Sequence, residues 1–166
     1  MPLPVAHGLL GASVIAAAHP QSTRRYFILL LTGAVLANLA DFDFILVFIF
    51  HSKTWHRGFS HSLLFGLIAC LILVLSLGQR HLREAIALGL AFTSHGILDY
   101  TTTKEGGGVE LLWPFSAERF VLGWVGLSEV PSKLATVEVI KALGVELLVF
   151  APVLMLVLGL RKYVWK

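Results

Sequence analysis

Asp41 and Asp43 stand inside residues 26–50, a run otherwise apolar enough to read as a membrane-spanning helix, and that placement limits what the chain can become. A carboxylate in hydrocarbon is costly to leave unpaired, so such residues face a protein interior and mark function by default. The same tension recurs elsewhere. The island Trp55-His56-Arg57-Gly58-Phe59-Ser60-His61-Ser62 separates two apolar runs, Ser94, His95 and Asp99 lie within a third, and His7 lies in a fourth.

Composition agrees with a bilayer as solvent. With 57% hydrophobic and 14% charged residues and a mean hydropathy of +0.82, the chain exceeds what one soluble core requires. A spanning helix needs about 20 mostly apolar residues, and five segments qualify: 3–19, 26–50, 62–78, 84–100 and 139–160. The fold expected over 1–166 is therefore a single all-α polytopic membrane bundle of about five transmembrane helices. Between the last two, residues 101–138 suggest a glycine turn at Gly106-Gly107-Gly108 and a partly re-entrant or interfacial segment around Trp113-Pro114-Phe115. Gly8, Gly11, Ala12 and Ala16 would let a neighbouring helix approach the first run closely. That run lacks a basic start and a cleavage site, so it is expected to stay in place. Cys70, the one cysteine, can form no internal disulfide.

The net charge of +3 gathers at the ends of apolar runs. It forms no basic stripe, which excludes nucleic acid as a partner and leaves the bilayer itself. Arg24 and Arg25, Arg80 and Arg83, and Arg161, Lys162 and Lys166 mark three cytoplasmic places, with the other connections outside. Oligomeric state has no signature in the sequence.

At 1.5 Å per residue, Asp41, Asp99 and Glu146 stand about 22 Å above these basic ends, His7 about 18 Å and His95 about 16 Å, with His61 opening its run at the same level. One polar layer near the outer edge of the hydrocarbon follows. His95 and Asp99, four apart, share a helix face, and imidazole with carboxylate suits zinc, manganese or iron rather than calcium or copper(I). Asp41 and Asp43, two apart, diverge on a regular helix. Either the helix loosens there, or one carboxylate binds metal while the other holds a ligand histidine; a single carboxylate paired with Arg57 is the plainer alternative.

His56 and His61 bracket Arg57, and Ser60 is the expected N-cap of the following helix. Backbone N–H groups at that helix start, with Arg57, would favour an anion such as phosphate, unless the island merely meets lipid head groups. His7 alone reads as a core histidine, Glu146 as completing the shell or neutralising Arg57, and His19, His51 and His81 as interfacial residues. No His-Glu-x-x-His, Gly-x-Ser-x-Gly elbow or P-loop occurs, which disfavours zincin, serine-hydrolase and nucleotide-hydrolase chemistry.

Together, His7, Asp41-x-Asp43, His56-Arg57-Gly58-x-Ser60-His61-Ser62, Ser94-His95-x-x-x-Asp99 and Gly108-x-x-x-x-Trp113-Pro114-Phe115 resemble the LexA-regulated bacterial inner-membrane metal-dependent hydrolases, a YdjM-like family. The likeness covers about the first two thirds of the chain. It implies a multi-pass inner-membrane hydrolase that uses a divalent metal, without naming a substrate. The His-x-x-x-Asp arrangement is also similar to that of zinc-dependent phospholipase C and nucleases, which points to phosphoesters. Where that family's pattern has proline before the first aspartate, this chain has Ala40, so the helix break that proline would enforce is not encoded there.

The resulting expectation is metal-dependent hydrolysis of a lipid phosphoester from the periplasmic side. Asp41, His61, His95 and Asp99 would be ligands of one or two ions, zinc favoured over manganese, with His7, Asp43 and His56 as further ligands or supports. Arg57 would clamp phosphate and His56 protonate the leaving oxygen. The rivals are a metal-ion or proton transporter, which needs polar groups through the full depth, and a non-catalytic structural or regulatory membrane protein, which would bind no metal.

Overall fold

The computed structural model describes residues 2–18, 24–103, 107–123 and 136–164. Among the described residues six α-helices follow in order: α1 Pro4–Ala18, α2 Arg24–Leu36, α3 Phe44–Phe50, α4 Leu63–Leu77, α5 Leu82–Thr102 and α6 Thr136–Val164. No strand forms among the described residues beyond an isolated antiparallel bridge between Val109 and Phe120. Helix α1 sits centrally and packs on α2, α5 and α6, while α4 packs on α5.

Small residues set that arrangement. A Cβ on Gly11 would fall 2.5 Å from the Gly33 carbonyl oxygen and 2.5 Å from Ala37 Cβ, so α1 and α2 meet backbone to backbone. The interior is lined by alanine and by polar side chains: His7, His95, Asp99 and Glu146 have no exposure, whereas Phe48 and Leu148 are 75% and 77% exposed. A water-soluble domain would reverse that distribution; a bilayer rewards it.

Five spans are not supported. Among the described residues two helical stretches are long and apolar enough to cross a bilayer, Arg24–Phe50 and Val137–Arg161, and the bent pair Lys53–His61 with Leu63–Leu77 makes a third if taken as one span. Helix α1, at 15 residues, reaches about 22 Å, short of a hydrocarbon core of about 30 Å. Helix α5 has the length but carries Arg83, Glu84, Ser94, His95 and Asp99, and most of its second half is buried by neighbours. It is an inner helix sheathed by apolar ones.

The basic ends converge as their positions in the sequence suggest. Arg25 Nη2 donates to Glu84 Oε2 at 2.5 Å, and the Arg161 guanidinium lies 4.4 Å above the Tyr26 ring. His81 Nδ1 lies 2.8 Å from Arg25 Nη2 at this same end, and His51 closes α3 in the left-handed region at φ 51°; His19 lies outside the described residues. Glu146 serves neither of its expected roles. From α6 it accepts the backbone N–H groups of Leu3 and Ala6 at the start of α1, donors that a helix start leaves without intrahelical partners.

Gly11→Leu is expected to lower stability by about 1–3 kcal/mol through overpacking. Gly144→Leu, at a position where a Cβ meets nothing within 4 Å, should stay within about 0.5 kcal/mol. Denaturant unfolding in detergent micelles measures both.

Candidate metal centre

The centre begins with a break in a helix. After Leu36 the ladder tightens, Asn38 N–H bonding to the Val35 carbonyl at 3.0 Å, and a 3-10 turn runs over Leu39–Asp43 before α3 resumes. The turn occurs without proline, Ala40 being buried inside it. It sends Asp41 and Asp43 into the same interior with different partners.

Asp43 is used up by hydrogen bonds. Oδ1 accepts from His56 Nδ1 at 2.9 Å, and Oδ2 accepts from the Arg57 backbone N–H at 2.9 Å and from Ser60 Oγ at 2.8 Å. Ser60 Oγ in turn lies 2.9 Å from His61 Nδ1, itself 3.2 Å from Asp43 Oδ2. Across the bundle, His95 Nδ1 donates to the Ala37 carbonyl at 2.6 Å. Each of the three imidazoles thus has Nδ1 committed, and Nε2 is left as the acceptor. Nε2 of His56, His61 and His95 is buried with no hydrogen-bond partner among the described residues.

Two of these lone pairs face one oxygen. His95 Nε2 and His61 Nε2 lie 3.3 and 3.6 Å from Asp41 Oδ1, which also has no hydrogen-bond partner among the described residues. Their rings stand at 77° with centroids 4.7 Å apart. Two ligands of one tetrahedral ion bonded at about 2.1 Å stand about 3.4 Å apart, so these gaps, long for hydrogen bonds, suit a shared cation. Asp41, His56 and His61 form one set of ligand atoms within 4.8 Å of one another, and His7, His95 and Asp99 form a second. The donor set, imidazoles with carboxylates that another group orients, fits zinc or manganese.

Gly96 makes the meeting possible. A Cβ there would fall 2.2 Å from the His61 carbonyl oxygen, so the turn Phe59–His61 rests directly on α5 between His95 and Asp99. Arg57 is held at φ 59°, a conformation uncommon for a residue with a side chain. Its Nε lies 3.1 Å from Asp99 Oδ2. From the 107–123 segment, Glu110 N–H bonds to the Arg57 carbonyl, while Arg119 Nη1 and Nη2 bond to the carbonyls of His56 and Thr54.

The sequence profile of a family described as YdjM inner membrane protein matches residues 1–165. The chain belongs to that family. It is also similar to Inner membrane protein YbcI of Escherichia coli (strain K12), 38% identical over 116 residues, which are 64% of this chain and 65% of that relative. The chain therefore spans just under two thirds of the length of the curated relative it matches. No solved structure matches.

In this YdjM-family chain, all seven residues singled out as metal-binding, His7, Asp41, Asp43, His56, His61, His95 and Asp99, lie in one buried cluster. The Arg57 side chain pairs with Asp99 and not with Asp41 or Asp43 as the plainer alternative had it, while its backbone N–H bonds Asp43. Two local expectations are corrected. Ser62, not Ser60, caps α4, its Oγ accepting from Phe65 N–H at 3.1 Å. The helix start offers no open anion nest of the expected kind, because Leu63 N–H bonds to the Leu111 carbonyl and Gly66 N–H to the Ser62 carbonyl. Gly96 was legible in principle as a glycine between two candidate ligands on one helix. Arg119 carried no local signal at all.

Asp43→Ala should weaken zinc affinity about 10–100-fold by releasing the Nδ1 atoms of His56 and His61, whereas His61→Ala should abolish stoichiometric binding. Gly96→Ala should fall between them by displacing His61. Isothermal titration in detergent, with folding checked by circular dichroism, distinguishes the three.

Proposed function

We propose that the cluster is the active site of a membrane-embedded, metal-dependent hydrolase that cleaves a phosphoester of a membrane lipid at the extracytoplasmic side. The observation that carries this reading is the set of three histidines anchored through Nδ1, whose buried Nε2 atoms, like Asp41 Oδ1, have no hydrogen-bond partner among the described residues. Nothing in protein folding requires that arrangement, and it is costly without a cation.

Asp41, His61 and His95 would hold the ion, with Asp99 Oδ2 3.7 Å from His61 Nε2 as a further ligand. A divalent cation, zinc favoured over manganese, would supply Lewis-acid chemistry there, activating water near neutral pH and polarising a phosphoryl oxygen. The rest is the work of the chain. Asp43 fixes the tautomers of His56 and His61, and the Ala37 carbonyl fixes that of His95. Arg57, itself buried, places a positive charge against Asp99, where it would offset charge developing on the phosphoryl group. His56, stacked on Phe44 with centroids 3.9 Å apart, presents Nε2 as an acceptor that would take the proton released by the attacking water and, as imidazolium, pass it to the leaving oxygen.

The lipid assignment follows from the opening. Asp41 and His56 side chains keep 18% and 16% exposure while those of His7, His61, His95 and Asp99 keep none. Beside them Phe42, Phe44 and Ile45 are exposed, an apolar threshold suited to a substrate that stays in the bilayer. Orientation rests on the basic residues near Arg25, Glu84 and Arg161, at the opposite end from the cluster and read as cytoplasmic. Ile15, Ala87, Leu88 and Ala91 pack between that end and the cluster. This apolar plug weighs against a conduit for ions, which needs polar groups through the full depth.

Full-length protein reconstituted in phospholipid vesicles with zinc or manganese is expected to release phosphorus-bearing products detectable by phosphorus NMR. Chelation should abolish the activity, and Arg57→Gln should lower kcat about 100-fold. Stoichiometric metal without cleavage of any lipid phosphoester would remove the substrate assignment; absence of bound metal would remove the hydrolase.

A further inference from the structure

The site proposed above accounts for one ion and leaves His7 without a task. His7 has no exposure, and neither ring nitrogen has a hydrogen-bond partner among the described residues. A histidine retained only for packing would bond at least one nitrogen to a carbonyl or hydroxyl. Instead, Nε2 faces Asp99 Oδ1 at 3.5 Å, the spacing already seen between Asp41 and its two histidines.

His7 cannot simply join the first ion. Its ring lies face to face with that of His95, with centroids 3.7 Å apart and planes at 13°. Imidazole donates its lone pair in the ring plane. An ion shared by both would sit midway, about 1.8 Å out of each plane, when the whole bond is only about 2.1 Å long. The contrast is with His61 and His95, whose rings stand near-perpendicular and whose Nε2 atoms both lie within 3.6 Å of Asp41 Oδ1. His95 therefore serves the ion beside Asp41, and His7 points elsewhere.

Asp99 supplies the link. Oδ1 faces His7, while Oδ2 faces His61 Nε2 at 3.7 Å and Arg57 Nε at 3.1 Å. The two oxygens of one carboxylate thus address the two donor sets, as a bridging ligand does. We propose that the cluster holds two divalent cations: one held by Asp41, His61 and His95, and a second, more weakly held, by His7 and Asp99, with Asp99 bridging. This rests on the reading of the cluster as a metal centre and extends it. A pair of adjacent ions would address both the attacking and the leaving oxygen of an in-line displacement at phosphorus.

The test uses full-length protein in detergent, stripped with chelator and titrated with Mn²⁺. Bound metal is counted by elemental analysis after desalting, and spin coupling is read by EPR. Wild type is expected to reach two equivalents and to show the exchange-coupled spectrum of neighbouring ions. His7→Phe keeps the ring stacked on His95 and removes both nitrogens; it should retain one equivalent with the spectrum of an isolated ion. If this variant does not fold by circular dichroism, His7→Gln takes its place with the same expected loss of one equivalent. Wild type with one ion, unchanged in the His7 variant, would overturn the second position while leaving the metal centre intact. Two ions retained in the variant would overturn the role of His7, and no bound ion in wild type would overturn both readings.

Discussion

The Asp43 carboxylate holds together segments that would otherwise have no reason to meet. It stands at the end of a helix break, and the loop carrying His56, Arg57 and Ser60 folds onto it through three hydrogen bonds. Hydrogen bonds to a charged acceptor are the stronger kind, about 1.5–3 kcal/mol each, and in a site shielded from water they have no competitor. They settle the loop and, through Ser60, the tautomer of His61. The left-handed backbone at Arg57 is stabilised from both sides, its N–H on Asp43 and its carbonyl on Glu110. Order in the loop and order in the imidazoles share one origin.

That dependence explains the small residues around the cluster. Burying seven ionisable side chains in a thin bundle leaves little volume for aliphatic packing. The helices compensate by approaching at Gly11 and Gly33 and by letting the Phe59–His61 turn lie on Gly96. Large apolar side chains are displaced outward, where lipid solvates them, and the polar chemistry stays inside. The short α1, which cannot span alone, gains its N-terminal cap from Glu146 of the long α6. It can therefore carry His7 at the depth of the other donors.

Much of the centre was legible in the sequence because ionisable residues in apolar runs have few alternatives. His95 and Asp99 declare a shared face by spacing alone, and depth counting from the basic ends put Asp41, His7 and His95 in one layer. Two things were hidden. Span count was overread, because hydropathy cannot tell a lipid-facing helix from one such as α5 that is sheathed by its neighbours. Roles within the cluster depended on contacts far apart in the chain: Ala37 with His95, Arg119 with His56, Glu146 with Leu3. Glu146 is the clearest case, since a buried carboxylate at the level of the candidate ligands reads as one of them until its backbone partners are known. The helix break at Asp41 forms without proline, and the Ala37 carbonyl just before it is taken by His95 Nδ1 from α5.

Irregular backbone is the last link between fold and chemistry. In hydrocarbon a non-helical segment survives only where protein satisfies its N–H and C=O groups. Here the 3-10 turn at Leu39–Asp43 and the loop from Ser52 to Ser62 meet that demand partly with groups of the cluster itself, Asp43 for the Arg57 N–H and His95 for the Ala37 carbonyl, and partly with Arg119 for the carbonyls of Thr54 and His56. The His95–Ala37 bond does both at once, and Asp43 takes the Arg57 N–H while it holds His56 Nδ1, so backbone satisfaction and the orientation of Nε2 share groups. A change that relaxes one should disturb the other, so backbone satisfaction and ligand orientation in this centre form one constraint.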